Sequence, residues 1–233
     1  SRRKRLVTPD DARRRKALVM FQRAREETVA GDDEAALDCA LRASGFAHDF
    51  VPAAALAARL VAPSRPRKAA RIVERTWRTA PHPDLAAAYA EIYADDLPAR
   101  RAKRFIRLSG MNLYHPESRL AVAAQALEAG LWGVAWNNLR PLVEDGVRVA
   151  PGARACRLMA RYEREGNDDP SAAQEWDSRA AGINDRLAWR CADCGRESPD
   201  WEPVCAGCNG FDTLGWRDVV EIVPVPGTIT VEA

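Results

Sequence analysis

Four of the six cysteines form one pattern: Cys191-Ala-Asp-Cys194, a gap of ten residues, then Cys205-Ala-Gly-Cys208. Two Cys-x-x-Cys pairs at this separation supply four thiolates, the donor set of a tetrahedral metal site. Small residues follow each pair, Gly195 after the first and Asn209-Gly210 after the second, where the backbone must curl for its N–H groups to reach sulfur. With every position filled by protein the site is closed, so its metal is structural and has no open position for Lewis-acid chemistry. Zinc is the favoured ion, and iron also suits an all-thiolate tetrahedron. A disulfide framework competes weakly, because Cys39 and Cys156 stand isolated within helical sequence as packing residues and export features are lacking. A thioredoxin-like redox motif needs one such pair at a strand–helix junction, not two facing pairs.

Other chemistry is sparse. The three histidines are His48, His82 and His115, and the last two precede helix-starting prolines, which points to capping more than to a general base. The chain carries no Gly-rich phosphate loop, nucleophile elbow or His-rich metal motif. The expectation is a non-enzyme with no catalytic residues. Trp189, Trp201, Phe211 and Trp216 frame the cysteines and are expected to form the core that so small a module otherwise lacks. Base stacking is the competing role, but Asp193, Glu197, Asp200, Glu202 and Asp212 make the module acidic, so nucleic acid is not an expected partner.

The elements that must carry this site begin with composition. The 233 residues are 47% hydrophobic and 29% charged, with 35 basic against 33 acidic side chains. The near balance removes the strong positive field of a dedicated nucleic-acid binder, and the apolar fraction argues against disorder. No apolar stretch reaches bilayer length; the best, Val51 to Val61, is short and carries Arg59. The start, Ser1-Arg2-Arg3-Lys4-Arg5, has no apolar segment behind it and does not open on Met, which suggests a natural N-terminus removed. Alanine is abundant and aromatics make up 7%, the mark of a mostly helical chain.

A repeat organises the helices. His82-Pro83-Asp84 and His115-Pro116-Glu117 open two Ala-rich segments 33 residues apart, and a proline followed by an acid favours a helix N-terminus. Ala24 and Ala36, Ala58 and Ala70, Ala90 and Ala102, Ala123 and Ala135, and Ala160 and Ala172 are each 12 residues apart. Small residues at two facing positions let the helices of a hairpin approach closely. Gly31, Gly130 and Gly166 fall at the expected turns, where a C-cap glycine is favoured. Paired helices are predicted at 12–30 and 33–44, 52–61 and 67–79, 84–95 and 98–109, 117–129 and 132–144, and 152–165 and 170–181. The organisation is then a basic segment 1–11, about five hairpin repeats over 12–181, a linker 182–186, a four-Cys ribbon 187–217 and an extended tail 218–233. In that tail Pro224 and Pro226 allow only an edge strand or an arm.

The period resembles tetratricopeptide repeats, with Ala where Gly is usual and an aromatic three residues on at Tyr93. Repeat two is interrupted by Pro63 and Pro66. The fold expectation is a mostly α hairpin solenoid followed by a small rubredoxin-like or zinc-ribbon β module. His115-Pro-Glu-Ser-Arg-Leu-Ala, the Leu131-Trp132-Gly133 turn, Cys156-Arg-Leu-Met-Ala160 and Trp189-x-Cys-x-x-Cys-Gly…Trp201-x-Pro-Val-Cys-x-x-Cys…Phe211-Asp-Thr-Leu-x-Trp216 resemble the HemY haem-biosynthesis proteins of alphaproteobacteria. LapB-type repeat proteins, which work with a membrane protease, are more distantly similar in architecture. The resemblance implies a pathway and not a reaction: a scaffold for haem-pathway enzymes, with haem or a porphyrin left open as a ligand. It also implies a membrane anchor ahead of this segment. Arg2, Arg3, Lys4, Arg5 and Arg13 to Lys16 then lie as the basic run beside a span, on the cytoplasmic face of an inner membrane.

Repeat proteins bind along the first helices of their hairpins. On the last such helix Arg154, Arg157, Arg161 and Arg164 are spaced by 3, 4 and 3, opposite Ala155, Leu158 and Tyr162. The third repeat offers Asp84, Glu91 and Asp95 instead. The arginine stripe is expected to bind a protein partner or to dock the acidic ribbon beside it.

Overall fold

The computed structural model describes residues 8–143 and 152–222. Ten helices and a three-stranded sheet are formed by them, and the chain divides into two compact units. The basic run Arg2 to Arg5, the end of the helix expected to reach 144, and the tail beyond 222 with Pro224 and Pro226 lie outside the described residues.

The first unit contains α1 (Pro9–Ala30), α2 (Asp33–Phe46), α3 (Val51–Val61), α4 (Pro66–Trp77) and α5 (Pro83–Ile92), with residues 110–117. Helix α1 begins on a capping box in which the Thr8 hydroxyl accepts from the Asp11 N–H and Asp11 accepts from the Thr8 N–H. It stops at Gly31, whose φ of 80° is the left-handed C-cap that glycine adopts without strain. Asp32 then caps α2. Helices α1 and α2 form a hairpin, α3 packs on α2 and α4, and α5 packs on α3 and α4. Pro63 and Pro66 do not break the second hairpin: the turn lies between them and Pro66 opens α4, where its missing N–H removes no bond. The expected helix over 84–95 stops at Ile92, because the Tyr93 N–H closes a tight turn on the Ala90 carbonyl.

The core of this unit is built on alanine. Ala24, Ala36 and Ala58 are fully buried and Ala70 is nearly so, as the twelve-residue spacing requires. Larger side chains plug the gaps between the close backbones. Trp77 and Tyr89 are fully buried, and Phe21 meets Phe50 edge-on at 5.2 Å between ring centroids.

The second unit contains α6 (Pro98–Ser109), most of α7 (Pro116–Glu128), α8 (Trp132–Val143), α9 (Ala153–Gly166), α10 (Pro170–Ala181) and the sheet. Ala123, Leu139 and Met159 unite α7, α8 and α9, with Trp136 and Tyr162 stacked beside them at 5.6 Å. Ala123, Ala135 and Ala160 are buried, whereas Ala172 is half-buried and its neighbour Ala173 takes the packing position. The expected register is therefore one residue early on α10.

Gly130 turns the chain with φ of 65°, as expected of a C-cap glycine. Gly166 has another role. The left-handed residue of its turn is Asp168, with φ of 54°, and a Cβ on Gly166 would stand 3.0 Å from Cε3 of Trp132. A side chain there would crowd the indole, which lies close against the backbone. Gly166→Val is expected to cost about 1–3 kcal/mol through overpacking, measured as a lower denaturation midpoint with an unchanged denaturant slope. A midpoint equal to that of the parent protein would remove this packing role.

The sheet is antiparallel in the order β2–β1–β3, with β1 at Ile183–Cys191, β2 at Glu197–Ser198 and β3 at Leu214–Ile222. The expected linker 182–186 is corrected: β1 begins at Ile183 and pairs with Ile222, so the chain leaves α10 directly into the sheet. Residues 183–186 of the expected linker pair with Ile222 to Val219 of β3, a partner distant in sequence. The tail starts as the edge strand that its prolines allowed, through Ile222.

Candidate metal centre

The two Cys-x-x-Cys segments take the same backbone path. The Gly195 N–H donates to the Cys191 carbonyl at 3.0 Å, and the Asn209 N–H donates to the Cys205 carbonyl at 2.9 Å. Both donors are left-handed, with φ of 74° and 56°. In the second knuckle this conformation falls on Asn209, a residue that tolerates it, and not on Gly210. Each knuckle is closed by the N–H of its first cysteine, Cys191 to the Arg196 carbonyl and Cys205 to the Gly210 carbonyl, both at 2.9 Å. Strand β1 delivers Cys191 opposite Leu214 on β3, and a single bridge between Val204 and Phe211 braces the second knuckle.

This brings all four sulfurs within 4.8 Å of one another. Cys191 and Cys208 are 3.6 Å apart, as are Cys194 and Cys205. A tetrahedron with metal–sulfur arms of about 2.3 Å has edges of about 3.8 Å, so the thiols fit a single four-coordinate ion. The cysteines are free of disulfides. Cys191 and Cys205 are buried while Cys194 and Cys208 are exposed, which leaves the site at the edge of its module. The set can hold a metal; Cys39 and Cys156 are buried in helices and lie apart from it.

The surroundings favour thiolate unevenly. The hydroxyl of Thr213, 3.2 Å from the Cys191 sulfur, and the Cys194 backbone N–H lower the Cys191 thiol to about 6. Cys208 is held toward thiolate by the Gly210 N–H, but its neighbour Cys191 pushes it the other way, up to about 12. The Gly207 N–H also donates to Cys205 sulfur at 3.3 Å. Thr213 and Gly207 are contributors that the cysteine spacing does not reveal. Thr213 was visible only as part of the Phe211-Asp-Thr-Leu run.

The aromatic frame is partly as expected. Trp189 and Trp201 are buried, and Trp189 meets Trp216 edge-on at 5.3 Å. Phe211 is 49% exposed and supplies no core.

The arginine stripe lies on α9 with Arg157 and Arg164 exposed and Arg154 and Arg161 half-buried. Arg161 pairs with Glu128 at the end of α7 and with Glu165 one turn on, and these hydrogen bonds raise its pKa above the ordinary arginine value. Arg164 donates to Asp177 on α10 at 2.7 Å. Two of the four charges thus tie neighbouring helices together. The joint between the last hairpin and the sheet is packed by apolar groups, Ile183 and Trp176 against Ala153, Cys156 and Ala180. On the third repeat, Glu91 pairs with Arg59 at 2.9 Å. His82 caps α5 and His115 holds the Glu117 N–H, each through Nδ1 at 3.1 Å; the His48 ring nitrogen lies 3.0 Å from the Ser44 carbonyl oxygen.

No helix among the described residues is long and apolar enough to cross a membrane. No protein-family model matches the chain. The chain is similar to the probable magnetosome protein Mms48 of Magnetospirillum gryphiswaldense, at 29% identity over 217 residues. The match covers 92% of this chain and 47% of that protein, so the chain spans about half the length of the curated relative it matches.

Proposed function

We propose that this chain is a non-catalytic, membrane-associated scaffold of haem biosynthesis that gathers partner proteins on its helical hairpins and carries one structural zinc ion in its ribbon. The observation that carries the reading is the closed four-thiol cluster set directly on the last helical hairpin. A closed cluster organises a fold and offers no reactive position, and stacked hairpins offer extended surface for polypeptides. Zinc is preferred over iron for a stable four-thiolate structural site. The HemY-like run from residue 115 to 217 supports the haem pathway, and the N-terminal basic charges support the cytoplasmic face of an inner membrane. A relative named for the magnetosome supports association with a membrane system.

Affinity capture from detergent-solubilised membranes is the test. Recovery of haem-pathway enzymes is the expected result, and absorbance of the captured material reports a bound porphyrin. Recovery of a membrane protease together with its substrate would replace the reading by the LapB-like adaptor, and recovery of magnetosome proteins alone would remove the haem assignment.

A further inference from the structure

The second helices of two hairpins carry positive charge that neither packing nor helix stability requires. Helix α4 holds Arg67, Lys68, Arg71 and Arg75 against Glu74 as its one acid, with Arg65 and Arg78 at its two ends. Helix α6 holds Arg100, Arg101, Lys103, Arg104 and Arg107 and no acid. The 32-residue step from Ala70 to Ala102 makes Lys68, Arg71 and Arg75 equivalent to Arg100, Lys103 and Arg107. The same positions of α2 hold Glu34, Leu37 and Leu41, and those of α8 hold Gly133, Trp136 and Arg140. Of these four helices, only α4 and α6 place a cation at all three.

Helix stability does not explain the pattern. The first turns of α1, α2, α5 and α7 carry acid, which suits the positive end of the helix dipole. Arg67 and Lys68 stand in the first turn of α4, where their charge opposes the dipole, and Arg65 at the N-cap makes no side-chain cap. Packing does not explain it either. Both helices lie within the array, each with a hairpin before and after it in the chain, and both bury their packing faces: Ala69, Val73 and Trp77 on α4, Ala102, Phe105 and Leu108 on α6. Arg75 is committed to Ser44, donating to its carbonyl at 2.9 Å and its hydroxyl at 2.8 Å, and Glu74 accepts from the Tyr89 hydroxyl at 3.2 Å. The exposed charge of α4 is then Arg65, Arg67, Lys68, Arg71 and Arg78, of which Arg67, Arg71 and Arg78 follow one line of about 16 Å along the helix. Helix α6 exposes Arg100, Lys103 and Arg107 beside Ile106, 42% exposed, and Leu97 just ahead of the helix is 76% exposed.

We infer that the exposed faces of α4 and of α6 each bind the surface of an anionic phospholipid bilayer, with the cations meeting headgroup phosphates and carboxylates and with Leu97 and Ile106 entering the interface. Spacing favours lipid. Cations at irregular intervals need a partner whose negative groups move to meet them, and headgroups diffuse in the plane whereas carboxylates on a folded protein are fixed. The mixture on α6 favours it too, since apolar side chains flanked by cations suit the boundary between headgroups and acyl chains. Each cation near such a surface strengthens binding about fivefold, so a row of them adheres where a single one does not. The inference needs neither the haem pathway nor an anchor, and its failure would leave the scaffold reading standing.

Co-sedimentation with vesicles is the test, using phosphatidylcholine alone against phosphatidylcholine with about one third phosphatidylserine at about 0.1 M salt. The variants are Arg67→Glu with Arg71→Glu on α4, Lys103→Glu with Ile106→Asp on α6, and Arg23→Glu with Arg42→Glu on the first hairpin as a control for net charge. All six positions are exposed, circular dichroism confirms that the helices are kept, and the run Arg2 to Arg5 is common to every variant. The expected result is sedimentation with the phosphatidylserine vesicles only, release by raised salt, partition at least about tenfold weaker for the α4 pair and for the α6 pair, and a control close to the parent. Failure of the parent to sediment, parent-like partition of either pair, or an equal loss in the control would overturn the inference. Release by inorganic phosphate at the concentration of the lipid phosphate would mean single-ion sites, and binding of polyglutamate in place of vesicles, lost in the same variants, would mean an acidic protein partner; either result also overturns it.

Discussion

Stripping the metal with a chelator will unfold the ribbon and leave the helices standing. Strand β2 is only two residues long, and among the side chains described around the site the buried ones are Ala188, Trp189, Trp201 and Leu214 besides Cys191 and Cys205. In modules of this kind the binding free energy of the ion is the folding free energy, on the order of 10–16 kcal/mol for structural zinc in small peptides. Cys194→Ser is expected to lower the metal content of purified protein from one equivalent to well below half. Near-ultraviolet dichroism from Trp189 and Trp216, now edge-on, should collapse, while far-ultraviolet helical signal changes little. A ribbon that keeps its tryptophan signal and protease resistance without metal would show that the thiols do not organise it.

Acid should have the same effect, and its direction follows from the thiols. Metal binding displaces their protons, so affinity falls as pH falls. Cys191, lowered to about 6 by Thr213 and the Cys194 N–H, is already largely thiolate at neutral pH, whereas Cys208, pushed up to about 12, must lose its proton to the ion. Competition against a chromophoric chelator across pH 5 to about 8 should therefore show steadily tighter metal retention as pH rises. Thr213→Val should weaken retention, since it removes the hydroxyl that lies 3.2 Å from the Cys191 sulfur and lowers its pKa.

Trp77→Ala should be the most damaging single change in the first unit, at about 3–5 kcal/mol. Trp77 is fully buried at the end of α4, and the alanines in this core are already at their smallest useful size. A cavity of indole size in a core this rich in alanine is expected to relax little, which puts the cost in the range for a large aromatic. Urea denaturation followed by far-ultraviolet dichroism reads it. A loss below about 1 kcal/mol would mean that the alanine-rich helices collapse onto the void.

Local chemistry was legible where it is written in neighbouring residues. Cys-x-x-Cys curls on itself within six residues, so the spacing of Cys191, Cys194, Cys205 and Cys208 determined that four sulfurs converge once a short loop returns the chain. Most helix starts were legible, because proline at N1 and the caps Asp32, His82 and Asp169 act within one turn; the first was not, since the helix expected from residue 12 begins at Pro9 on the Thr8 cap, inside the expected basic segment 1–11. The twelve-residue alanine pairs were readable because a close helix crossing demands small side chains on both partners; they failed at Ala90, which is half-buried beside the buried Ala88 and Tyr89, and were off by one at Ala172, where the neighbouring Ala173 fits as well.

What only the tertiary structure decided depends on partners distant in sequence. Ile183 becomes a strand because Ile222 pairs with it across the sheet, which no feature of residues 182–186 announces. Gly166 is glycine for the indole of Trp132, 34 residues earlier, and Asp168 makes the turn instead. Four arginines at helical spacing look alike in sequence, yet Arg161 and Arg164 are committed to Glu128, Glu165 and Asp177 by the helices stacked around them. Periodicity states which residues share a face; only packing states what that face meets.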